Sequence, residues 1–278
     1  MIPGEPSRTA LAAATHRAAH QVLEGGRIFR DPLAVTILTT DAAAIAADAS
    51  AHPERRQMRL FIAARHRIAE DAVAAAVATG LDQLVVLGAG LDTQAYRNPH
   101  GAALTIYEVD HPATQAWKRA RLSETGIAVP PWLRFVDIDF EAQSLLDRLR
   151  RAGFDQTRRS VFVWLGVVPY LTKTAIFATL AFVASLPAGA EIIFDYADPP
   201  SAWPDPLRPM LQARAAHAAS LGEPWISHFE AAPLADRLRD LGFATIEDFG
   251  PADILRRFDP GGDAMLRDRG GHILRART

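Results

Sequence analysis

The 278-residue chain has no cysteine. That excludes a disulfide framework, thiol nucleophiles and Cys-ligated zinc or iron–sulfur centres. An excess of one charge is missing as well: the formal net charge is −2, and no run of Lys or Arg stands out. A nucleic-acid binder would present a basic face, so nucleic acid is not an expected partner. Long apolar runs are scarce. The longest, "AIFATLAFVASL" at 175–186, is too short to span a bilayer and ends at Pro187, so no membrane is expected. The first residues lack a basic stretch followed by an apolar core, so no signal peptide is expected. No His/Asp/Glu group has metal-ligand spacing, and no metal is expected. These absences predict a cytoplasmic protein.

What is present is apolar and patterned. Nearly half of the residues, 49%, are hydrophobic, enough for a large core. The first ~80 residues read as helical. Asp31 followed by Pro32 has the form of a helix start. A second start at Pro53 leads into a helix reaching Gly80, with Met58, Phe61, Ile62, Ile68, Ala72, Val73 and Ala76 on one stripe. From Leu84 the period changes. Short apolar runs begin at 84, 104, 133, 160 and 190, separated by helical stretches such as "ATQAWKRARLSE" and "EAQSLLDRLRRAG". Strands alternating with helices predict a parallel sheet covered on both faces. Two late strands, "FATIEDF" and "GHILRAR", close the chain, after a Pro-rich segment and a short amphipathic helix near 233–241. The expected organisation is a helical N-terminal cap over 1–80 and a core over 81–278. The core carries a lid insertion at about 197–240, with cap and insertion lying over the carboxyl edge of the sheet, where open α/β folds bind ligands.

The first strand runs into "LGAGLDTQAYR". Gly88 and Gly90 there permit close backbone approach to a ligand. A dinucleotide fingerprint would place a third glycine at position 93, where Thr93 stands, and no Gly-Lys-Ser/Thr of a P-loop is present. Asp110 ends the second strand, placed either to hold both hydroxyls of a ribose or to cap the following helix. Asp137 ends the third, placed to take an adenine amino group beside Ile138, or to cap a helix, a role Asp139 suits better. Acids in register after two successive strands favour an adenosine ligand. Arg65 falls on the apolar stripe of its helix, and Arg67 on the opposite side. A buried guanidinium needs an anion. The free carboxylate of S-adenosylmethionine (SAM) would serve; snorkelling, or a local partner such as Asp71, are the alternatives.

Taken together, "LVVLGAGLDTQAYR", "YEVDHPATQAWKRARL", "FVDIDF" and "VWLGVVPYLT" resemble the leucine carboxyl methyltransferase-like family of class I SAM-dependent methyltransferases, which includes bacterial small-molecule O-methyltransferases. The resemblance implies an α/β, Rossmann-like, seven-stranded, mostly parallel sheet with one antiparallel member near its end. It implies SAM as cofactor, with Arg65 on its carboxylate, Gly88 and Gly90 beside the methionine part, Asp110 on the ribose, and Asp137 with Ile138 around the adenine. It also implies O-methylation of a small molecule, with a place in secondary metabolism. Where many relatives carry a Glu after the fourth strand this chain has Leu165, so no role is carried over there.

Methyl transfer requires alignment of nucleophile and methyl more than it requires acid–base groups. A carboxylate acceptor is ionised at neutral pH, whereas a phenol benefits from a base. The only catalytic candidates are His228 and Tyr170. The acceptor is expected under Tyr170, Tyr196, Trp203 and Trp225, residues that equally suit plain packing. Two other readings stay open: a SAM-binding protein without transfer activity, and a nicotinamide oxidoreductase, against which Thr93 speaks.

Overall fold

The computed structural model describes residues 7–139, 143–203, 205–206, 208–220, 222–261 and 270–278. Seven strands form one sheet in the order β3-β2-β1-β4-β5-β7-β6. They are β1 (Gln83–Leu87), β2 (Thr105–Asp110), β3 (Leu133–Asp137), β4 (Ser160–Trp164), β5 (Ala190–Ala197), β6 (Thr245–Phe249) and β7 (Gly271–Arg277). The strands β1 to β5 pair in parallel, and β7 runs antiparallel between β5 and β6. This is the class I methyltransferase arrangement that the sequence predicts, with every expected strand in place.

The central strands are buried along most of their length because both faces are covered. Along β1, Leu84 and Val86 point to one side and Val85 and Leu87 to the other, each into a separate buried cluster. On the first side the cover is α3 (Arg56–Ala78), whose Leu60, Ala64, Ile68, Ala72 and Ala76 pack with Val161, Val163 and Ile193. So α3 builds the sheet core, and only the elements before it, α1 (Arg8–Glu24) and α2 (Ala42–Ala51), make a separate small cluster with Ile37, Leu91 and Leu122. Leu122 lies on α4 (Pro112–Glu124), the crossover between β2 and β3. On the opposite face lie α5 (Leu145–Arg151), α6 (Lys173–Ala184) and, further along the chain, α8 (Ala231–Asp240). Residues 141 and 142, at the start of the helix expected before Gly153, lie outside the described residues.

Three local expectations differ from what is observed. Asp31 does not open an α-helix: the chain turns over 32–35 and makes one 3-10 turn at Thr36–Leu38. Oδ1 of Asp31 still accepts the Leu33 N–H at 3.1 Å, closing the turn, while Oδ2 is taken by Arg17 at 3.1 Å and by the Thr93 hydroxyl at 2.8 Å. The Pro-rich segment after β5 contains α7 (Arg208–Ser220), of which only Ala218 is buried, so it shows no apolar stripe in sequence. A short α9 (Pro251–Phe258), begun by Pro251 with Asp253 in its first turn, joins β6 towards β7. Among the described residues no helix is long and apolar enough to cross a membrane.

Candidate active site

The carboxyl ends of β1, β2, β4 and β5 open into one cavity of about 2030 Å³. Its floor is the turn after β1. Gly88 has φ 66° and Gly90 φ 45°, a region that disfavours any side chain. A Cβ on Gly88 would lie 2.3 Å from Val167 Cγ2, and one on Gly90 2.9 Å from the Cβ of Ala10 on α1. The turn is therefore bare backbone against its neighbours, and Gly88, Ala89 and Gly90 all line the cavity.

Asp110 stands at the rim of this turn. Its Oδ2 accepts the Gly90 N–H at 2.5 Å and its Oδ1 the His111 N–H at 2.6 Å. It does not cap α4: that position belongs to His111, whose ring accepts the Ala113 N–H at 3.3 Å. Burial pushes the Asp110 carboxyl up, against the two N–H donors that favour its charge. Each oxygen keeps a further lone pair for a ligand hydroxyl. Ile138 is fully buried and lines the cavity together with Asp139. Asp137 does not. It is exposed, and its carboxylate pairs with Arg148 on α5, so it faces away from the ligand space that the sequence reading gave it. Neither acid caps α5; Ser144 does.

Arg65 lines the cavity from α3. Its buried charge has an internal partner that the sequence reading missed: Nη1 donates to Asp195 Oδ2 of β5 at 3.0 Å. The other Asp195 oxygen accepts the Gly166 N–H at 2.5 Å. Gly166, with φ 72°, leaves room for the guanidinium, since a Cβ there would sit 2.8 Å from Nη2. The Nε of Arg65 is buried and has no hydrogen-bond partner among the described residues. Arg67, by contrast, is half exposed and pairs with Asp71.

Of the expected acceptor-side aromatics, Tyr170, Tyr196, Trp203 and Trp225 all touch the cavity. They are not equivalent. Tyr196 is 1% exposed, donates to Asp248 Oδ2 at 2.5 Å and stacks on His272. The Trp203 indole donates to the Asp198 carbonyl at 3.1 Å. The Trp225 indole nitrogen is buried beside the Tyr170 hydroxyl. His228 is not among the residues lining the cavity; its ring packs edge-on against Trp203. Burial and the Lys173 charge push its pKa down.

His272, on β7, faces Asp248 at 3.1 Å and Asp198 at 3.4 Å. Burial opposes its charge, but its hydrogen bonds to the two carboxylates, and their charge, outweigh burial and push the pKa up to about 9. A folded-state pKa above the unfolded value stabilises below the unfolded pKa, near 6.5, and that contribution is lost as pH rises towards 9. Urea unfolding followed from pH 6 to 9.5 should show a stability loss on the order of 3 kcal/mol, and His272→Gln should flatten it. A loss of the same size in the variant would assign it elsewhere.

Sequence reasoning also missed the seam that closes one side of the cavity. Glu223, after α7, accepts the Thr9 N–H at 3.0 Å, the Ser7 hydroxyl at 3.3 Å and the Thr9 hydroxyl. A carboxylate at the first turn of α1 also meets the positive end of the helix dipole. No sequence signal joins residues so far apart in the chain.

The sequence pattern of the leucine carboxyl methyltransferase family matches residues 10–184, which includes the glycine turn and the first four strands. The chain belongs to this family. Among similar proteins, "Putative S-adenosyl-L-methionine-dependent methyltransferase YktD" of Bacillus subtilis is 35% identical over 177 residues, covering 63% of this chain and 58% of that one. A "Putative S-adenosyl-L-methionine-dependent methyltransferase" of Mycolicibacterium vanbaalenii is 33% identical over 170 residues, covering 60% and 55%. The match thus spans little more than half the length of these relatives. The fold is shared with a "putative methyltransferase" crystal structure from Thermobifida fusca, at TM-score 0.56 and 18% identity, covering 100% of this chain and 96% of that one. Both of these curated relatives are named for dependence on S-adenosylmethionine, SAM. The residues present fit it: a bare glycine turn, a carboxylate with open lone pairs, and a guanidinium with an unpartnered Nε line one cavity.

Proposed function

We propose that this chain is a SAM-dependent O-methyltransferase acting on a small molecule, with a carboxylate acceptor favoured over a hydroxyl and a place in secondary metabolism. The cavity carries the reading. At about 2030 Å³ it is about twice the upper end of ordinary ligand pockets, roughly 1,000 Å³, and so has room for cofactor and acceptor together. Its lining holds both the glycine turn with its acids and the aromatic residues Tyr170, Trp203 and Trp225.

In this reading Arg65 holds the cofactor carboxylate through its Nε edge, Asp110 the ribose, and Ile138 the adenine ring. Asp139, rather than Asp137, is the third-strand acid on the cavity wall. When bound, SAM supplies a sulfonium methyl open to in-line attack. The protein's part is to orient the acceptor oxygen towards that methyl and to exclude water, with the Glu223 seam holding α1 and the post-α7 segment together. No base within the cavity is assigned, which suits a carboxylate, already ionised at neutral pH. Leu165 on the cavity wall favours one second reading, cofactor binding without transfer.

The test measures S-adenosylhomocysteine release with panels of carboxylic acids and phenols, alongside calorimetric titration of SAM and NAD. SAM should bind and NAD should not. A carboxylic acid should turn over, with a chemical-step rate flat from about pH 6 to 9, and His228→Ala should leave that rate unchanged. SAM binding with no turnover would favour the second reading. A rate rising through neutral pH and lost in His228→Ala would overturn the carboxylate preference.

A further inference from the structure

One part of the cavity carries positive charge that the cofactor reading does not use. His16 on α1, Arg55 just before α3 and Arg214 on α7 all line it, and His16 lies within the field of Arg59, Arg55, Arg214 and Arg65. Three of those guanidiniums have carboxylate partners: Arg55 with Asp48 at 3.2 Å, Arg59 with Glu24 at 2.7 Å, and Arg65 with Asp195 at 3.0 Å. Arg214 has none within 4.0 Å among the described residues. Its guanidinium makes one long hydrogen bond, 3.5 Å, to the Glu54 carbonyl. Burial works against its charge, with only Glu54 opposing. An unpaired, partly desolvated cation is costly to fold around unless a ligand supplies the anion.

Other groups of the cavity point the same way. The Trp225 indole N–H, beside the Tyr170 hydroxyl, is a further donor on its lining. Burial, then the surrounding guanidiniums, hold the His16 pKa down to about 4. At neutral pH the ring is therefore uncharged. A guanidinium with no carboxylate within 4.0 Å among the described residues complements an oxyanion.

We propose that Arg214 is an anchoring residue for the methyl acceptor, which carries an oxyanion, carboxylate or phosphate, on an aromatic or apolar body. The anchored group is distinct from the oxygen that receives the methyl, because a guanidinium clamp stabilises the charge of the oxyanion it holds and so makes that group the weaker nucleophile. The word "acceptor" rests on the methyltransferase reading; the oxyanion site itself does not.

Isothermal titration of the full chain tests this, with benzoate, phenyl phosphate and neutral benzamide as probes, each with and without saturating S-adenosylhomocysteine. At least one anion should bind, and benzamide should bind at least about tenfold more weakly. The tighter of the two anions identifies carboxylate or phosphate as the anchored chemistry. Arg214→Gln should weaken the anions about tenfold or more, leaving benzamide and S-adenosylhomocysteine unchanged, and Arg214→Lys should recover part. Because Arg214 has no ion pair to lose among the described residues, the thermal midpoint of Arg214→Gln should not fall. The proposal is overturned if neither anion binds, if benzamide matches them, or if Arg214→Gln leaves anion affinity intact. It is also overturned if that variant weakens S-adenosylhomocysteine as much as the anions, which would give the guanidinium to the cofactor. If S-adenosylhomocysteine fails to bind at all, the methyltransferase reading falls, while the anion series on the protein alone still judges Arg214.

Discussion

Arg65→Ala is expected to lose both stability and cofactor affinity, whereas Arg67→Ala loses neither to a comparable degree. Removing Arg65 leaves Asp195, with a side chain 7% exposed, charged and held only by the Gly166 N–H. Breaking one half of a buried pair costs about 3–5 kcal/mol, which for a chain of this size lowers the thermal midpoint by on the order of 10 °C. The pair of Arg67 with Asp71 is half exposed and worth roughly 0.3–0.5 kcal/mol. The affinity effect is separable. With Nη1 held by Asp195, the Nε edge remains for the cofactor carboxylate. Losing that clamp costs about 2–5 kcal/mol, a loss of about thirtyfold or more. Adding Asp195→Asn to Arg65→Ala removes the stranded charge, so it should restore much of the thermal midpoint without restoring SAM binding. Calorimetric titration and thermal unfolding of the four proteins decide it. Equal SAM affinity in the Arg65→Ala and Arg67→Ala variants would reduce Arg65 to a purely structural ion pair.

Asp110→Ala should weaken SAM binding by about ten- to a hundredfold, from the loss of charge-assisted hydrogen bonds worth roughly 1.5–3 kcal/mol. The geometry sharpens the choice of control. Asp110 also orders the glycine turn through Gly90 N–H and receives the His111 N–H, so the alanine variant disturbs the floor as well as the ligand contact. Asp110→Asn keeps the size and one acceptor oxygen while removing the charge, and it should still weaken binding by about tenfold. Asp137→Ala is the comparison. Its carboxylate is exposed and paired with Arg148, so SAM affinity should be nearly unchanged. A large loss in Asp137→Ala with none in Asp110→Asn would reverse the two assignments.

The sequence determined the sheet. Five apolar runs form β1 to β5, and in β1, β2, β4 and β5 burial of both faces leaves no polar alternation to confuse the pattern. It also located the glycine turn, because two positive-φ positions at the end of a strand admit few residues but glycine. Family membership was legible for the same reason: the resemblance rests on strings that run through that turn and the strands beside it.

The tertiary structure decided the rest. Which of two neighbouring acids faces the cavity depends on where β3 ends and on what α5 offers, and Arg148 draws Asp137 outward. The Arg65 stripe demanded an anion, and its partner, Asp195, lies 130 residues away on a strand that no local spacing links to α3. The sequence suggested a cap for 1–80, but α3 buries its apolar stripe on the sheet because the period specifies a buried face and not its partner. α7 was invisible to periodicity, since its inner face borders a cavity instead of a core, and a cavity selects for ligand chemistry rather than for apolar spacing.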